Sequence, residues 1–261
     1  MLLALLGTSH AVANVTLSTT NFPDENFRNA VATATGVSVG GTFDESTLTT
    51  LDVSGKNIRS IVGVELLTGL TKFVAANNDI QFANFTNNPH LEWLDLSYNE
   101  DLREFNSTAG SGSVSTHWIT LTNNVPLKHL DLSNCNIGYF VAIYNGYHVT
   151  TLTWLSLANN PAMAGWSNGI AVQTGLEYCD LSNTAQTSSS LAFTASHNKL
   201  ETLILKGNSS FGYSSCFQYL SALKHLDISN CDIYFREGSS TYYLLHYLTP
   251  TNNPNLETLL V

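Results

Sequence analysis

The stretch "LKHLDLSNCNI" runs from Leu127 to Ile137, and "LKHLDISNCDI" runs from Leu223 to Ile233. They differ at two of eleven positions and start 96 residues apart. Both fit the pattern L-x-x-L-x-L-x-x-N/C-x-L. In register with them stand "LTTLDVSGKNI" from Leu48, "LTKFVAANNDI" from Leu70, "LEWLDLSYNED" from Leu91 and "LTWLSLANNPA" from Leu152. "LEYCDLSNTAQ" from Leu176, "LETLILKGNSS" from Leu200 and "LETLLV" from Leu256 complete nine occurrences. Successive starts lie 22, 21, 36, 25, 24, 24, 23 and 33 residues apart.

The pattern has a physical cause. Side chains alternate along a strand, so the fourth and sixth positions face one side while the third, fifth and seventh face the other. The ninth position, where the chain leaves the strand, reads Lys56, Asn78, Asn99, Cys135, Asn160, Thr184, Asn208 and Cys231. An Asn there can satisfy backbone groups that have left the ladder, and only Lys56 is clearly off pattern. One such unit cannot bury its apolar face alone, so neighbouring units must stack.

These repeats resemble the leucine-rich repeat family over Leu48–Val261. The segment "NFPDENFRNAVATA", Asn21–Ala34, is similar to the N-terminal cap of exported bacterial leucine-rich repeat proteins, gut-bacterial and internalin-like in type. The resemblance implies a right-handed curved solenoid with a parallel sheet on its concave side, a mostly irregular convex side and a short helical N-terminal cap. Asp24 is placed to cap a helix carrying Phe27 and Val31 on one face, and a second short helical piece is expected near Asp44. The expected organisation is a signal-peptide remnant over 1–13, a cap over 14–47 and nine repeats over 48–261, the last truncated. The break at Val261, in mid-strand, is expected if the chain is a fragment of a longer protein.

Composition narrows the partners. The chain has 261 residues, 43% hydrophobic and only 11% charged, with a formal net charge of −10. Nucleic acid and anionic membranes both reward basic patches, so neither is expected as a partner. "MLLALLGTSHAVANV" has a short apolar run and the small-x-small cleavage signal Ala11-Val12-Ala13, as at the end of a secretory leader. A secreted or cell-surface location follows. No later run approaches the ~20 apolar residues of a membrane span. The 36-residue interval holds the Gly/Ser-rich segment Asn106–Thr116, expected as a loop; the 33-residue interval holds Phe235–Pro250, expected as a packed excursion.

The sequence offers the composition of a catalytic group but not its geometry. His129, Asp131 and Ser133 have the composition of a hydrolase triad, as have His225, Asp227 and Ser229. On one strand, however, the acid sits between the other two, and His and Ser lie about 13 Å apart. His129 and His225 are four rungs apart, roughly 19 Å. Cys135 and Cys231 share one column at that same separation, far beyond disulfide reach. The cysteines are read as small buried thiols, with a Cys216–Cys231 bridge left open. No catalytic residue, metal site or cofactor is expected, and the chain is not expected to be an enzyme.

What remains is a surface. The third position reads Thr50, Lys72, Trp93, His129, Trp154, Tyr178, Thr202, His225 and Thr258. Trp93 through Tyr178 form four consecutive ring residues in one exposed column. The fifth position beside it reads Asp52, Val74, Asp95, Asp131, Ser156, Asp180, Ile204, Asp227 and Leu260, and Tyr98 adds a ring at the eighth. The bland alternative is a cross-strand ladder that only stabilises the sheet. The functional alternative is a ligand surface made by Trp93, Asp95, Tyr98, His129, Asp131, Trp154, Tyr178, Asp180, His225 and Asp227. Neither column belongs to the leucine framework, so substituting it is expected to leave the fold intact. The resemblance implies protein–protein recognition or adhesion, with a host or microbial surface protein as ligand. A glycan partner, or a scaffold arm of a larger enzyme or adhesin, is the alternative.

Overall fold

A computed structural model describes residues 14–85, 87–102, 104–105, 118–120, 126–141, 143–144, 147–148, 151–163, 168–187, 193–208, 216–231, 248 and 250–261. The 1–13 leader and the Asn106–Thr116 loop lie outside the described residues, as does nearly all of Phe235–Pro250. So does the side chain of Cys216, and with it the Cys216–Cys231 pairing.

The repeats form one sheet of nine parallel strands in chain order. Each strand is three residues long, from Thr50–Asp52 through His129–Asp131 to Thr258–Leu260. The leucines of the pattern are the core: Leu127, Leu130 and Leu132 are fully buried, and so are Leu200, Leu203 and Leu205. Register is unbroken, with third position opposite third position from Thr50 to Thr258. The main-chain ladder continues past the strands: Leu132 N–H donates to the Ser156 carbonyl and Asn134 N–H to that of Ala158. One outward expectation is corrected. Ser97, Ser133 and Ser156 are buried, because small side chains beside large rings and carboxylates on this face are covered by them.

At the eighth position the chain turns out of the sheet through a left-handed conformation. Gly55, Asn77, Tyr98, Asn134, Asn159, Asn183, Gly207 and Asn230 all have φ between 50° and 73°. Gly and Asn accept this conformation at least cost; Tyr98 is the exception. The ninth-position Asn then ties two rungs together. Asn160 Oδ1 accepts from the Cys135 and Ile137 N–H groups of the preceding rung, and its Nδ2 donates to the Leu132 and Leu157 carbonyls. Asn78 repeats the arrangement, and Asn208 does so with the Thr184 hydroxyl in place of one N–H group. Where Cys replaces Asn, the thiol supplies one of these bonds: Cys135 Sγ reaches the Leu96 carbonyl at 3.0 Å and Cys231 Sγ that of Leu205 at 3.1 Å. Cys135 and Cys179 are free thiols, and burial pushes the Cys135 thiol up to about 12, which keeps it protonated.

A helix spans Glu25–Thr35, N-capped by Asp24, whose Oδ1 accepts from the Phe27 N–H at 2.9 Å, and ended by Gly36 at φ 71°. Phe27 and Val31 are buried, as the four-residue spacing requires. Asp24 Oδ2 also accepts from the Arg59 and Ser60 N–H groups of the first repeat, so one carboxylate starts the helix and docks it. A 3-10 turn, Glu45–Thr47, follows the Asp44 cap. The antiparallel pair Asn14–Thr16 and Thr42–Asp44 was not foreseen.

The convex side is more regular than expected. Phe82–Ala83, Glu104–Phe105, Trp118–Thr120 and Tyr139–Val141 form a second, four-stranded parallel sheet, to which the long Leu91–Leu127 interval contributes two strands, Glu104–Phe105 and Trp118–Thr120. A short helix lies at Asn168–Ala171 and 3-10 turns at Val64–Leu66 and Cys216–Tyr219. No helix of the described residues is long and apolar enough to cross a membrane.

Each buried backbone group left without a partner costs about 1–3 kcal/mol. Asn160→Ala strands two N–H groups and removes a donor to two carbonyls, so it is expected to cost at least about 3 kcal/mol in urea unfolding. Asn160→Cys restores the donor as at Cys135 and is expected to cost less.

Candidate functional site

The concave face is built from the odd positions of the repeats. Unbroken register places Trp93, His129, Trp154 and Tyr178 on four adjacent strands. Their rings stack: Trp93 on His129 with centroids 3.5 Å apart and planes at 11°, His129 on Trp154 at 4.0 Å and 18°, Trp154 on Tyr178 at 4.9 Å and 2°. A side chain missed as a member of this group is Lys72. Its ammonium lies 4.3 Å from the centre of a Trp93 ring and covers the outer end of the stack. The signal was its place in the third-position column, one strand before Trp93.

This geometry decides what the column can offer. Ring faces inside the stack are occupied by neighbouring rings, so solvent meets mainly the edges. Edges carry the positive part of the ring quadrupole. Trp93 is exposed, and His129, Trp154 and Tyr178 are half-buried. Burial pushes His129 down to about 4, helped by the Lys72 charge and opposed by Asp95, so the ring is neutral at physiological pH. Burial pushes the Tyr178 phenol up to about 12, with the Asp180 charge adding to it.

The acidic column has a second duty. Oδ1 of Asp52, Asp95, Asp131, Asp180 and Asp227 accepts from the backbone N–H two residues on, that of Ser54, Ser97, Ser133, Ser182 and Ser229, at 2.8–2.9 Å. Ser97 and Ser229 add hydroxyl bonds at 2.7 and 2.6 Å. These are Asx turns, which steer the chain out of the strand. Burial raises the Asp131 carboxyl above its usual range, with the Asp95 and Asp180 charges adding to it. At exposed Asp52 the bond to the Ser54 N–H leads and lowers it.

The expected residues are not all in one place. His225 is in register with the ring column but separated from Tyr178 by Thr202. Tyr98 stands at the exit of its rung, exposed, beside a cavity of about 280 Å³ that Asn77, Asn78, Asp79, Glu100 and Asp101 also line. Asp95, Asp131 and Asp180 flank the stack, and Asp227 lies beyond Ile204. Among the described residues no group of three metal-ligating side chains forms.

A further polar series went unnoticed on the convex side. Asn88 Nδ2 donates to the Val64 and Leu67 carbonyls, and Asn253 Nδ2 to those of Phe217 and Leu220. Buried His197 places Nε2 3.4 Å from the Ile170 carbonyl. Each stands three residues before the first leucine of a repeat, a spacing visible in the sequence.

A family model for the leucine-rich repeat matches residues 126–143. Internalin J of Listeria monocytogenes serotype 4b (strain F2365) is 39% identical over 70 residues, 26% of this chain and 8% of that protein. The match thus spans less than a tenth of the curated relative. Two solved Listeria monocytogenes internalins, InlF and InlC2, are each 18% identical with a TM-score of 0.50. The first alignment covers 97% of this chain and 79% of the other, the second 95% and 97%. At this identity the likeness shows the shared fold.

Two outcomes follow from the site. The unfolded chain protonates His129 near its ordinary 6.5, the folded chain only near 4. Stability is therefore expected to fall as pH drops across that window, and His129→Phe should flatten this limb in urea midpoints taken along it. Tyr98 holds a conformation that costs a bulky residue about 1–2 kcal/mol, so Tyr98→Asn is expected to raise stability by about 1 kcal/mol in the same melts.

Proposed function

We propose that this leucine-rich repeat protein, internalin-like in its repeats, is a non-catalytic extracellular binding module that docks a protein ligand on its concave face. The ligand would be a surface protein of a host or of another microbe, and the module would act in secreted or cell-surface form. The observation that supports this most directly is the four-ring stack along the third-position column, its Trp93 end exposed and its other rings half-buried. The leucine core does not require those rings, and aromatic side chains carry much of the binding energy in protein interfaces.

The orientation of the rings favours a protein over a glycan. Sugars stack their apolar faces on open aromatic faces, and this column has spent its inner faces on itself. A strip of ring edges beside carboxylates suits the mixed polar and apolar groups of a protein surface. The acidic flank favours a basic partner and gives attraction that salt screens over about 10 Å at 0.1 M.

The stack adds a stability cost to any substitution in the column, even where the fold is kept. Aromatic pairs contribute about 0.5–1.5 kcal/mol each, so Trp93→Ala/Trp154→Ala removes three pairs together with the Lys72 contact and is expected to destabilise by roughly 2–4 kcal/mol. Gentler variants test binding. Trp93→Phe/Trp154→Phe keeps a stacked column but removes the indole edges. Asp95→Asn/Asp131→Asn/Asp180→Asn keeps the turn acceptors but removes the charge. With a ligand found by screening arrays of host and microbial surface proteins beside a glycan array, the first variant is expected to weaken binding at least tenfold and the second to abolish its salt dependence. Unchanged affinity in both variants would move the site off this face, and a ligand found only on the glycan array would favour the sugar alternative.

A further inference from the structure

The ring stack ends differently on its two sides. At the Trp93 end the Lys72 ammonium covers the outer face. At the Tyr178 end the next strand offers Thr202, which has no ring, and the ring after it is His225. Tyr178 stacks on Trp154 alone among the described residues. Two strand spacings, about 9–10 Å, separate the Tyr178 and His225 positions. A flat group set between two ring faces needs roughly 7 Å of that gap, about 3.5 Å of carbon packing on each side, so one such group fits and two do not. The missing ring leaves a slot one rung wide in the column, over Thr202 and between the Tyr178 and His225 positions.

The flank of the slot is acid, apolar, acid. In the fifth-position column Asp180 pairs with Ile204 and Ile204 with Asp227. Each carboxylate gives Oδ1 to its own turn, and neither joins an ion pair among the described residues. Lys206 shares the Thr202 rung at the seventh position; it is exposed and pairs with neither carboxylate. The chain itself is at −10.

Resting on the concave-face reading above, we propose that this slot receives the guanidinium of an arginine side chain presented by the protein partner. The guanidinium plane lies against the open Tyr178 ring, its N–H groups face the fifth-position flank, and the Asp180 and Asp227 charges attract it from the two sides. Three features select this chemistry. A planar cation lies flat on an aromatic face and fits a gap one group thick, whereas an ammonium meets the same face only as a compact point charge and leaves the gap unfilled. The forked donors of arginine match carboxylates better than a point charge does. The other end of the same stack already holds a cation on its outer face, supplied by the chain's own Lys72. An anionic group would meet two carboxylates, and a neutral ring would strip them of water without replacing it.

The test is a titration followed by amide chemical shifts, with N-acetyl-arginine amide as probe and N-acetyl-lysine amide as comparison. Arginine is expected to shift the amides of Tyr178, Thr202, Ile204 and Asp227 saturably in the millimolar range, with lysine several-fold weaker. Thr202→Tyr places a ring on the empty position, extends the stack and should abolish the shifts with no loss of thermal stability. Asp180→Asn/Asp227→Asn keeps both turn acceptors and should bring arginine down to the lysine level, which secures the test if the tyrosine variant misfolds. Shifts that do not saturate, that survive both variants or that are equal for lysine would overturn the slot. The probe titration needs no protein ligand, so its failure is separable from that of the concave-face reading. If the tryptophan variants still lower partner affinity while the probe does not bind, only the slot falls.

Discussion

A chain that stacks parallel strands one residue-triplet wide must leave the sheet at the same point on every turn, and at that point its backbone groups lose their ladder. The ninth-position amide meets this constraint. In Asn160 one side chain receives two N–H groups from the rung before and donates to a carbonyl on each rung. Buried backbone groups without partners are costly, so these bonds fix the spacing of the rungs and the place where each one ends. The left-handed residue just before it, Asn or Gly on seven of the eight rungs, turns the chain so that the amide can reach. Leucine burial supplies most of the driving force, but it is non-directional; the directional bonds choose the register.

Register in turn makes columns. Once strands align position for position, every residue type repeated at one position becomes a line on the surface. The fifth-position line is Asp because its carboxylate closes the Asx turn, so much of the acidic stripe is a by-product of turning the chain. The third-position line has no such duty. Its side chains bond to no backbone group in the turn, which leaves them to be set by contact with one another or with a ligand. A self-stacked run of Trp, His, Trp and Tyr with lysine over its end stabilises the sheet and, by the same geometry, presents a rigid strip whose ordering cost is already met before any partner arrives.

The leucine spacing, the strand positions, the four-ring column and the Asp24 cap were all legible, because each follows from a periodicity or from one residue's bonding capacity. Ring orientation was not. Register places Trp93 beside His129, but whether their faces meet each other or the solvent depends on side-chain torsions and crowding on a concave surface. That difference shifts the balance from sugar towards protein. The Asx role of Asp95 and Asp180 was written in the recurrent Asp-x-Ser of the strands, and the convex polar series in Asn88, His197 and Asn253; both were local signals obscured by a stronger long-range one. The second sheet was hidden for another reason. Phe82–Ala83 and Trp118–Thr120 have no marked alternation of their own, and each pairs with Glu104–Phe105 only because the stacked chain brings them together.

The informative residues are therefore those that break the repeat where the repeat is physically demanded. Tyr98 occupies a left-handed position that Asn and Gly fill on the other rungs, and it stands exposed there, where nothing in the core repays the conformational cost. Lys72 ends the aromatic run on one side, and Thr202 leaves a gap on the other. Positions that obey the pattern answer to the solenoid, and a ligand could not have selected them separately. Departures at positions without a backbone duty are open to such selection, and a departure at a position with one needs a reason outside the turn. By that argument the binding surface proposed above would be centred on the third-position column from Lys72 to His225, with Tyr98 at its margin, and the Asp residues would set its field more than its specificity.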